Sequence, residues 1–136
     1  MIRVLVVDDE YQLLEAFKKK LIREGMEVFT ASNGEEAISL MKKETLDIGL
    51  FDIKLPDTDG VLLLEKFREL QPTAEVIMLT GYASVDTAIR SMKLGAYDYL
   101  TKPVKLSELH TVILKAYEKK QLKEKTIVLE EQLQRI

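Results

Sequence analysis

The sequence predicts an α/β fold: a doubly wound, five-stranded parallel sheet with helices on both faces and an extended C-terminal helix. Three observations carry this. Short apolar runs alternate with amphipathic stretches, giving five strand–helix units in about 120 residues. The first run, Arg3-Val4-Leu5-Val6-Val7, is β-branched and has no polar face, which suits a parallel strand covered on both sides. Crossovers between parallel strands are right-handed, so helices reach both faces only if the winding direction reverses once.

The elements follow in order. Leu13, Leu14, Phe17, Leu21 and Ile22 recur at three- and four-residue spacing and mark a helix, with Gly25 suited to its C-terminus. Met26 to Thr30 is a weaker strand. Ser32-Asn33-Gly34-Glu35 resembles a capping box before a second helix that carries Ala37, Ile38, Leu40 and Met41. Ile48 to Phe51 is the third strand, and a loop with Pro56 and Gly60 leads into a helix through Val61, Leu63, Leu64, Phe67 and Leu70, closed by Pro72. Val76 to Leu79 is the fourth strand; Ser84 caps a helix through Ala88, Ile89 and Met92 that Gly95 stops. Tyr97 to Leu100 is the fifth strand, and the last helix starts near Leu106 and runs on toward the end of the chain. A flavodoxin-like order, 2-1-3-4-5, supplies the single reversal between strands 1 and 3. A Rossmann order is the alternative, but it needs a glycine fingerprint after strand 1, where this chain has Asp8-Asp9-Glu10.

Composition narrows the function. The chain has 136 residues, one domain with a modest tail, and 46% of them are hydrophobic, enough for a sizeable core. Charged residues make up 32% with a net charge of -3, which leaves no electrostatic footprint for nucleic acid or an anionic membrane. The absence of cysteine excludes disulfides, thiolate metal sites and a cysteine nucleophile. No apolar run approaches the roughly 18 residues of a membrane helix, and no secretory signal precedes the first strand. A cytoplasmic protein is expected.

In a doubly wound sheet the ligand crevice lies beyond the carboxyl ends of the strands, at the reversal. Strand 1 ends in Asp8 and Asp9, strand 3 in Asp52, strand 4 in Thr80, and strand 5 in Lys102-Pro103. These residues are expected on one rim. Two unit charges about 4 Å apart repel by roughly 4 kcal/mol at a protein surface, so three carboxylates call for a cation. All-oxygen ligation by few protein groups suits Mg²⁺. Lys102 adds a positive charge, and a cis peptide bond before Pro103 would aim it over the crevice. Gly81, after Thr80, allows a backbone N–H to approach an anion closely.

Val6-Val7-Asp8-Asp9-Glu10, Phe51-Asp52-Ile53-Lys54-Leu55-Pro56, Asp59-Gly60, Leu79-Thr80-Gly81, Gly95-Ala96-Tyr97-Asp98-Tyr99 and Lys102-Pro103 resemble the signature set of response-regulator receiver (CheY-like) domains of bacterial two-component systems. The likeness covers roughly residues 2 to 118, with the motifs in the family's order. The stretch from Thr80 to Val104, with the helical tail, is similar to receivers of NtrC-like enhancer-binding transcriptional activators.

The resemblance implies roles. Asp52 is the nucleophile and becomes an aspartyl phosphate. Asp9 binds Mg²⁺ directly, Asp8 mainly through water, and the backbone carbonyl of Lys54 is a further metal ligand. Lys102 contacts the phosphoryl group and Thr80 hydrogen-bonds it. Tyr99 rotates inward as Thr80 moves, altering the face formed by helix 4, strand 5 and helix 5. Lys54 and Tyr82 flank the path of attacking water. The phosphoryl donor is a sensor histidine kinase. The domain catalyses only its own phosphorylation and dephosphorylation, with no external turnover. The one histidine, His110, reads as a surface helix residue rather than a phosphotransfer group.

Residues 1-118 form the receiver and 119-136 a helical linker or dimerisation helix. Leu122, Thr126, Leu129, Leu133 and Ile136 follow a four-three spacing over two heptads, which fits either a solvated linker or the seam of a homodimer. Dimerisation through this helix or through the helix 4-strand 5-helix 5 face is expected, with no direct contact to nucleic acid or membrane. No G-x-x-x-x-G-K-[ST] loop or DNA-binding segment follows. A regulatory fragment of a longer transcription activator and a free-standing regulator acting through protein contacts both stay open. Two other functions fit less well. A haloacid-dehalogenase-type phosphatase needs a second Asp two positions after the nucleophile, where this chain has Lys54, and a flavin binder would suffer repulsion between its phosphate and Asp8-Asp9.

Overall fold

The computed structural model describes all residues, Met1–Ile136. The order is β1(Arg3–Val7), α1(Tyr11–Arg23), β2(Glu27–Ala31), α2(Gly34–Lys43), β3(Ile48–Phe51), α3(Gly60–Leu70), β4(Glu75–Thr80), α4(Val85–Lys93), β5(Asp98–Thr101) and α5(Leu106–Gln134). The strands form one parallel sheet in the order β2-β1-β3-β4-β5. The winding reverses between β1 and β3, which opens a crevice at their carboxyl ends.

Side chains alternate across each strand and divide the core in two. Leu5, Val7, Phe51, Val76 and Met78 face α2 and α3, where they meet Met41, Val61, Leu64 and Phe67. Val4, Val6, Ile48, Leu50, Ile77 and Leu79 face the other way, onto Leu14, Phe17 and Leu21 of α1 and Leu109, Ile113 and Ala116 of α5. The central strands are covered on both sides, which is why their sequences read as unbroken apolar runs. α4 is different. It buries only Ser91, and Val85, Ile89 and Met92 stay exposed. No helix is long and apolar enough to cross a membrane.

Three strands differ at their ends from the sequence reading, because backbone pairing rather than apolarity ends a strand. β2 begins at Glu27, since the Met26 N–H still donates to Leu21 at the end of α1. β4 extends over Glu75 and Thr80, both polar and both fully buried. β5 starts at Asp98, one residue late, although the Tyr97 N–H donates to the Val76 carbonyl. Gly25 and Gly95 follow α1 and α4 with φ of 86° and 93°, the left-handed conformation that ends a helix.

The start of α2 is also shifted. Asn33, not Ser32, is the N-cap, and its Oδ1 accepts from the Glu36 N–H at 2.9 Å. Glu36 returns the bond by accepting from the Ser32 N–H at 2.9 Å. The helix begins at Gly34, so Glu36 rather than Glu35 holds its third position. The Asp57 carboxylate, from the loop after β3, takes the two remaining first-turn donors, Gly34 N–H at 2.7 Å and Glu35 N–H at 3.0 Å. Those bonds, the one from Gly34 first, hold the Asp57 carboxyl below its ordinary value.

Asp57→Ala is therefore expected to lower the melting temperature. A depressed folded-state pKa contributes stability above the unfolded value and loses it as pH falls through the folded value. The gap between wild type and Asp57→Ala should be full at neutral pH. It should close only below the ordinary aspartate range, as thermal melts across pH will show.

Candidate functional site

The carboxyl ends of β1, β3, β4 and β5 deliver polar residues to one rim. Asp8 follows β1, Asp52 follows β3, Thr80 ends β4, and Lys102 follows β5. Asp8 and Asp52 are each 3% exposed and Thr80 is fully buried, while Asp9 is open to solvent. Carboxylate oxygens of Asp8, Asp9 and Asp52 lie within 4.8 Å of one another. At that spacing each pair of ionised groups repels by roughly 3.5 kcal/mol at an effective dielectric of about 20.

Lys102 answers part of that repulsion. Its Nζ donates to Asp8 Oδ2 at 2.6 Å, to Asp52 Oδ2 at 3.1 Å and to Glu10 Oε1 at 3.4 Å. An ammonium has three N–H donors, and all three have a carboxylate partner here. Burial opposes the charge of Lys102, but the bonds to Asp8 and Asp52 more than offset it and hold the ammonium protonated well above the ordinary lysine range. Burial pushes the Asp8 carboxyl up, only partly countered by the bonds from Lys102 and the Glu10 N–H. The peptide bond between Lys102 and Pro103 is cis.

The remaining contacts fix Asp52. Its Oδ1 accepts from the Ile53 N–H at 2.7 Å, and its own N–H donates to Val7 O at 3.0 Å, which ties β3 to β1 at the rim. The loop behind it is closed by the Gly60 N–H on Ile53 O at 2.6 Å, the Leu55 N–H on Thr58 O at 3.2 Å, and a bridge between Lys54 and Asp59. A Cβ at Gly60 would overlap the carbonyl of Asp52, so only glycine lets α3 start this close to the end of β3. Gly81 is under no such demand, since a Cβ there would meet nothing within 4 Å and its φ is not positive.

Lys54 lies two residues past Asp52. Its Nζ sits 4.6 Å from the centroid of the Tyr82 ring, so the two loops at the mouth of the crevice touch through a cation–π contact. Thr80 Oγ1 accepts from the Tyr82 N–H at 3.0 Å. Tyr99, half-buried on β5, shares a 2.6 Å hydrogen bond with Thr87 Oγ1, and its hydroxyl accepts from the Ser84 N–H at 3.4 Å. Ser84 is the N-cap of α4 and Thr87 lies in its first turn. His110 makes none of these contacts; its Nδ1 lies 3.6 Å from Glu24, the residue that caps the end of α1.

Two participants went unread in the sequence. Glu10 was legible only as part of an acidic run, and nothing in that run says it meets Lys102, 92 residues away. Thr87 carried no signal as the partner of Tyr99, because a threonine inside a helix has no preferred role.

Chemically, the rim offers only oxygen donors and one ammonium. The clustered carboxylates of Asp8, Asp9 and Asp52 outnumber the one ammonium, and this excess of negative charge suits a divalent cation. Hard cations of the Mg²⁺ type are bound by carboxylate oxygens and water, and the exposed Asp9 leaves the position open to both.

Known proteins share the sequence pattern and the fold of this chain. The model of the response regulator receiver domain family matches residues 4–114. The alginate biosynthesis transcriptional regulatory protein AlgB of Pseudomonas aeruginosa is 35% identical over 133 residues, covering 98% of this chain and 30% of AlgB. The chain spans about a quarter to a third of the length of the curated relatives it matches. Among solved structures, the beryllofluoride-activated NtrC4 receiver domain dimer superposes with a TM-score of 0.83 at 37% identity, covering 88% of this chain and 99% of that one. A response regulator from Burkholderia pseudomallei, solved with a phosphorylated aspartic acid, calcium ion and citrate, gives a TM-score of 0.81 at 30% identity over 99% of this chain and 83% of that one. The chain is a response-regulator receiver domain, of the kind found in NtrC-family activators.

Proposed function

We propose that Asp52 accepts a phosphoryl group from a sensor histidine kinase in a Mg²⁺-dependent reaction, and that this modification is the signal. The observation that carries the reading is a buried Asp52 carboxylate 3.1 Å from Lys102 Nζ and within 4.8 Å of the Asp8 and Asp9 carboxylates. An Asp52 oxygen attacks phosphorus and forms an O–P bond. The P–N bond of the donor phosphohistidine breaks, and its electron pair leaves with the imidazole nitrogen, which takes a proton from solvent. Lys102 exchanges one of its carboxylate contacts for an oxygen of the arriving group. Thr80 releases the Tyr82 N–H and donates its hydroxyl to another oxygen. Asp8, Asp9, Asp52 and the backbone carbonyl of Lys54 would hold Mg²⁺, which when bound neutralises charge on the phosphoryl oxygens. The phosphorylated aspartic acid and calcium ion of the B. pseudomallei relative support this assignment.

The output follows from what Thr80 leaves behind. Its movement frees space beside β5, and Tyr99 turns inward, giving up Thr87 and Ser84 and so loosening the first turn of α4. The α4-β5-α5 face changes as a result. We read residues 1-118 as the receiver and 119-136 as a helical linker. We also read the chain as forming a homodimer through the tail of α5 or the α4-β5-α5 face, in the cytoplasm. Exposed Leu122, Leu129 and Leu133 and the dimeric NtrC4 receiver support the dimer. The likeness to AlgB, a transcriptional regulatory protein, supports control of transcription by domains outside this chain.

Incubation with acetyl phosphate and Mg²⁺ should add one phosphoryl group to the intact mass. Asp52→Asn, Asp9→Ala and omission of Mg²⁺ should each prevent it. A full mass gain in Asp52→Asn would sink the assignment, and turnover of acetyl phosphate without accumulation would point to a phosphatase.

Lys54 and Tyr82 cover the approach of water to the aspartyl phosphate. An exposed cation–π contact contributes about 0.5–1 kcal/mol, so Tyr82→Ala should shorten the phosphoryl lifetime about two- to five-fold. Decay followed by mass spectrometry checks this, and an unchanged lifetime removes Tyr82 from the mechanism.

A further inference from the structure

The two strands that present Asp52 and Thr80 also carry acids at their opposite ends. Asp47 precedes β3 and is 7% exposed; Glu75 opens β4 and is fully buried. Neither takes part in phosphoryl chemistry. Asp47 Oδ2 accepts from the Arg3 N–H at 2.8 Å, and its carbonyl accepts from the Glu75 N–H at 3.1 Å. The counter-charges come from α5. Lys120 Nζ donates to Asp47 Oδ1 at 2.5 Å and pairs with Glu124 at 3.1 Å. Lys123 Nζ lies 2.5 Å from Glu75 Oε1 and Lys119 Nζ 3.7 Å from it. The Lys123 contact is off the hydrogen-bond direction, so Glu75 is held by charge rather than by a directed bond. Burial works against the ammonium of Lys120, yet its bonds to Asp47 and Glu124 raise its pKa above the ordinary lysine value.

Position along α5 gives these contacts meaning. Ala116 is the last buried apolar residue of the helix, and Lys120 is the only buried residue after it. Past Lys123 every residue is exposed. The extension is thus attached to the body mainly by ion pairs. At about 100° per residue, Leu122, Leu129 and Leu133 lie roughly 180–220° around the helix from Lys120, on the side away from the sheet. Their exposures are 62%, 59% and 69%.

We propose that Asp47 and Glu75 with Lys119, Lys120 and Lys123 form an ionic clasp that makes the receiver and its tail one rigid lever, fixing the direction in which the tail leaves and turning its leucine stripe outward toward a second copy. An unpaired buried carboxylate is costly, so the tail cannot swing away without exposing Asp47 and Glu75 to water or leaving them unmatched. These five are positioning residues. The part of the proposal that names a second copy rests on the dimer reading above; the clasp itself does not.

The chain has no cysteine, so Lys42→Cys on α2 and Glu131→Cys on the tail place two spin labels without background. Labelled chain is diluted with excess unlabelled chain so that pairs report distances within one molecule. Double electron–electron resonance should give a narrow distribution. Lys120→Met with Lys123→Met keeps the side-chain stems, removes both charges, and should lose that narrow distribution. Acetyl-phosphate labelling of Asp52 in the same variant reports that the body is folded. If the double variant is not phosphorylated, Lys123→Met alone is used, with partial broadening expected. A broad distribution in the wild-type background, or variants as narrow as wild type, overturns the clasp. A wild-type chain that takes no phosphoryl group counts against the Asp52 reading instead, and a monomeric chain with a narrow distribution counts against the second copy alone.

Discussion

A carboxylate buried in protein is tolerated only beside positive charge, and in this chain one ammonium serves two of them. Lys102 lies 2.6 Å from Asp8 and 3.1 Å from Asp52, both almost fully buried. The rest of the rim follows from holding that arrangement. β1 and β3 must be neighbours, which requires the winding to reverse between them. β5 must end level with both, which the register of β4 against β5 provides. Gly60 must lack a side chain so that α3 can begin against the Asp52 carbonyl. The one cation still falls short of three acids, and the shortfall is what makes the rim receptive to a divalent ion.

The same strands have a second polar end. Each of β3 and β4 is an apolar segment closed by a buried acid at its start and an acid or hydroxyl at its finish. At the carboxyl ends the charges converge on an open crevice. At the amino ends, Asp47 and Glu75 converge on three lysines of α5. The sheet thereby separates chemistry from attachment. The Asp52 rim opens to solvent at Asp9, and the tail meets the sheet at the opposite end. α4 belongs to neither end. It is thinly buried and tied to β5 by the hydroxyls of Thr87 and Tyr99, so it is the helix that can shift at least cost.

The strand order, the helices and the residues standing at strand ends were legible in the sequence because each rests on a local signal. A two-sided strand reads as an apolar run, a helix as a three-four repeat, and a crevice residue as a polar side chain that interrupts the run. Where the local signal was ambiguous the reading slipped by a residue, as at Asn33 and Glu36, because Ser32 and Glu35 fit the same capping pattern one step earlier. What could not be read was pairing over distance. Asp47 and Lys120 are 73 residues apart, and in the sequence Lys119 and Lys123 look like any solvated helix face. Glu75 carries no strand signal of its own, because its burial depends on a helix whose length no periodicity within β4 reveals.

The account turns on Lys102 and Asp9 sharing one small ligand with Asp52. An experimental structure of the chain with Mg²⁺ and beryllofluoride, a mimic of the phosphoryl group, tests this most directly. The mimic is predicted on Asp52, with Lys102 Nζ moved onto one of its fluorines and the metal ion between Asp8, Asp9 and Asp52. A mimic bound elsewhere, or one that Lys102 and Asp9 fail to reach, would contradict it.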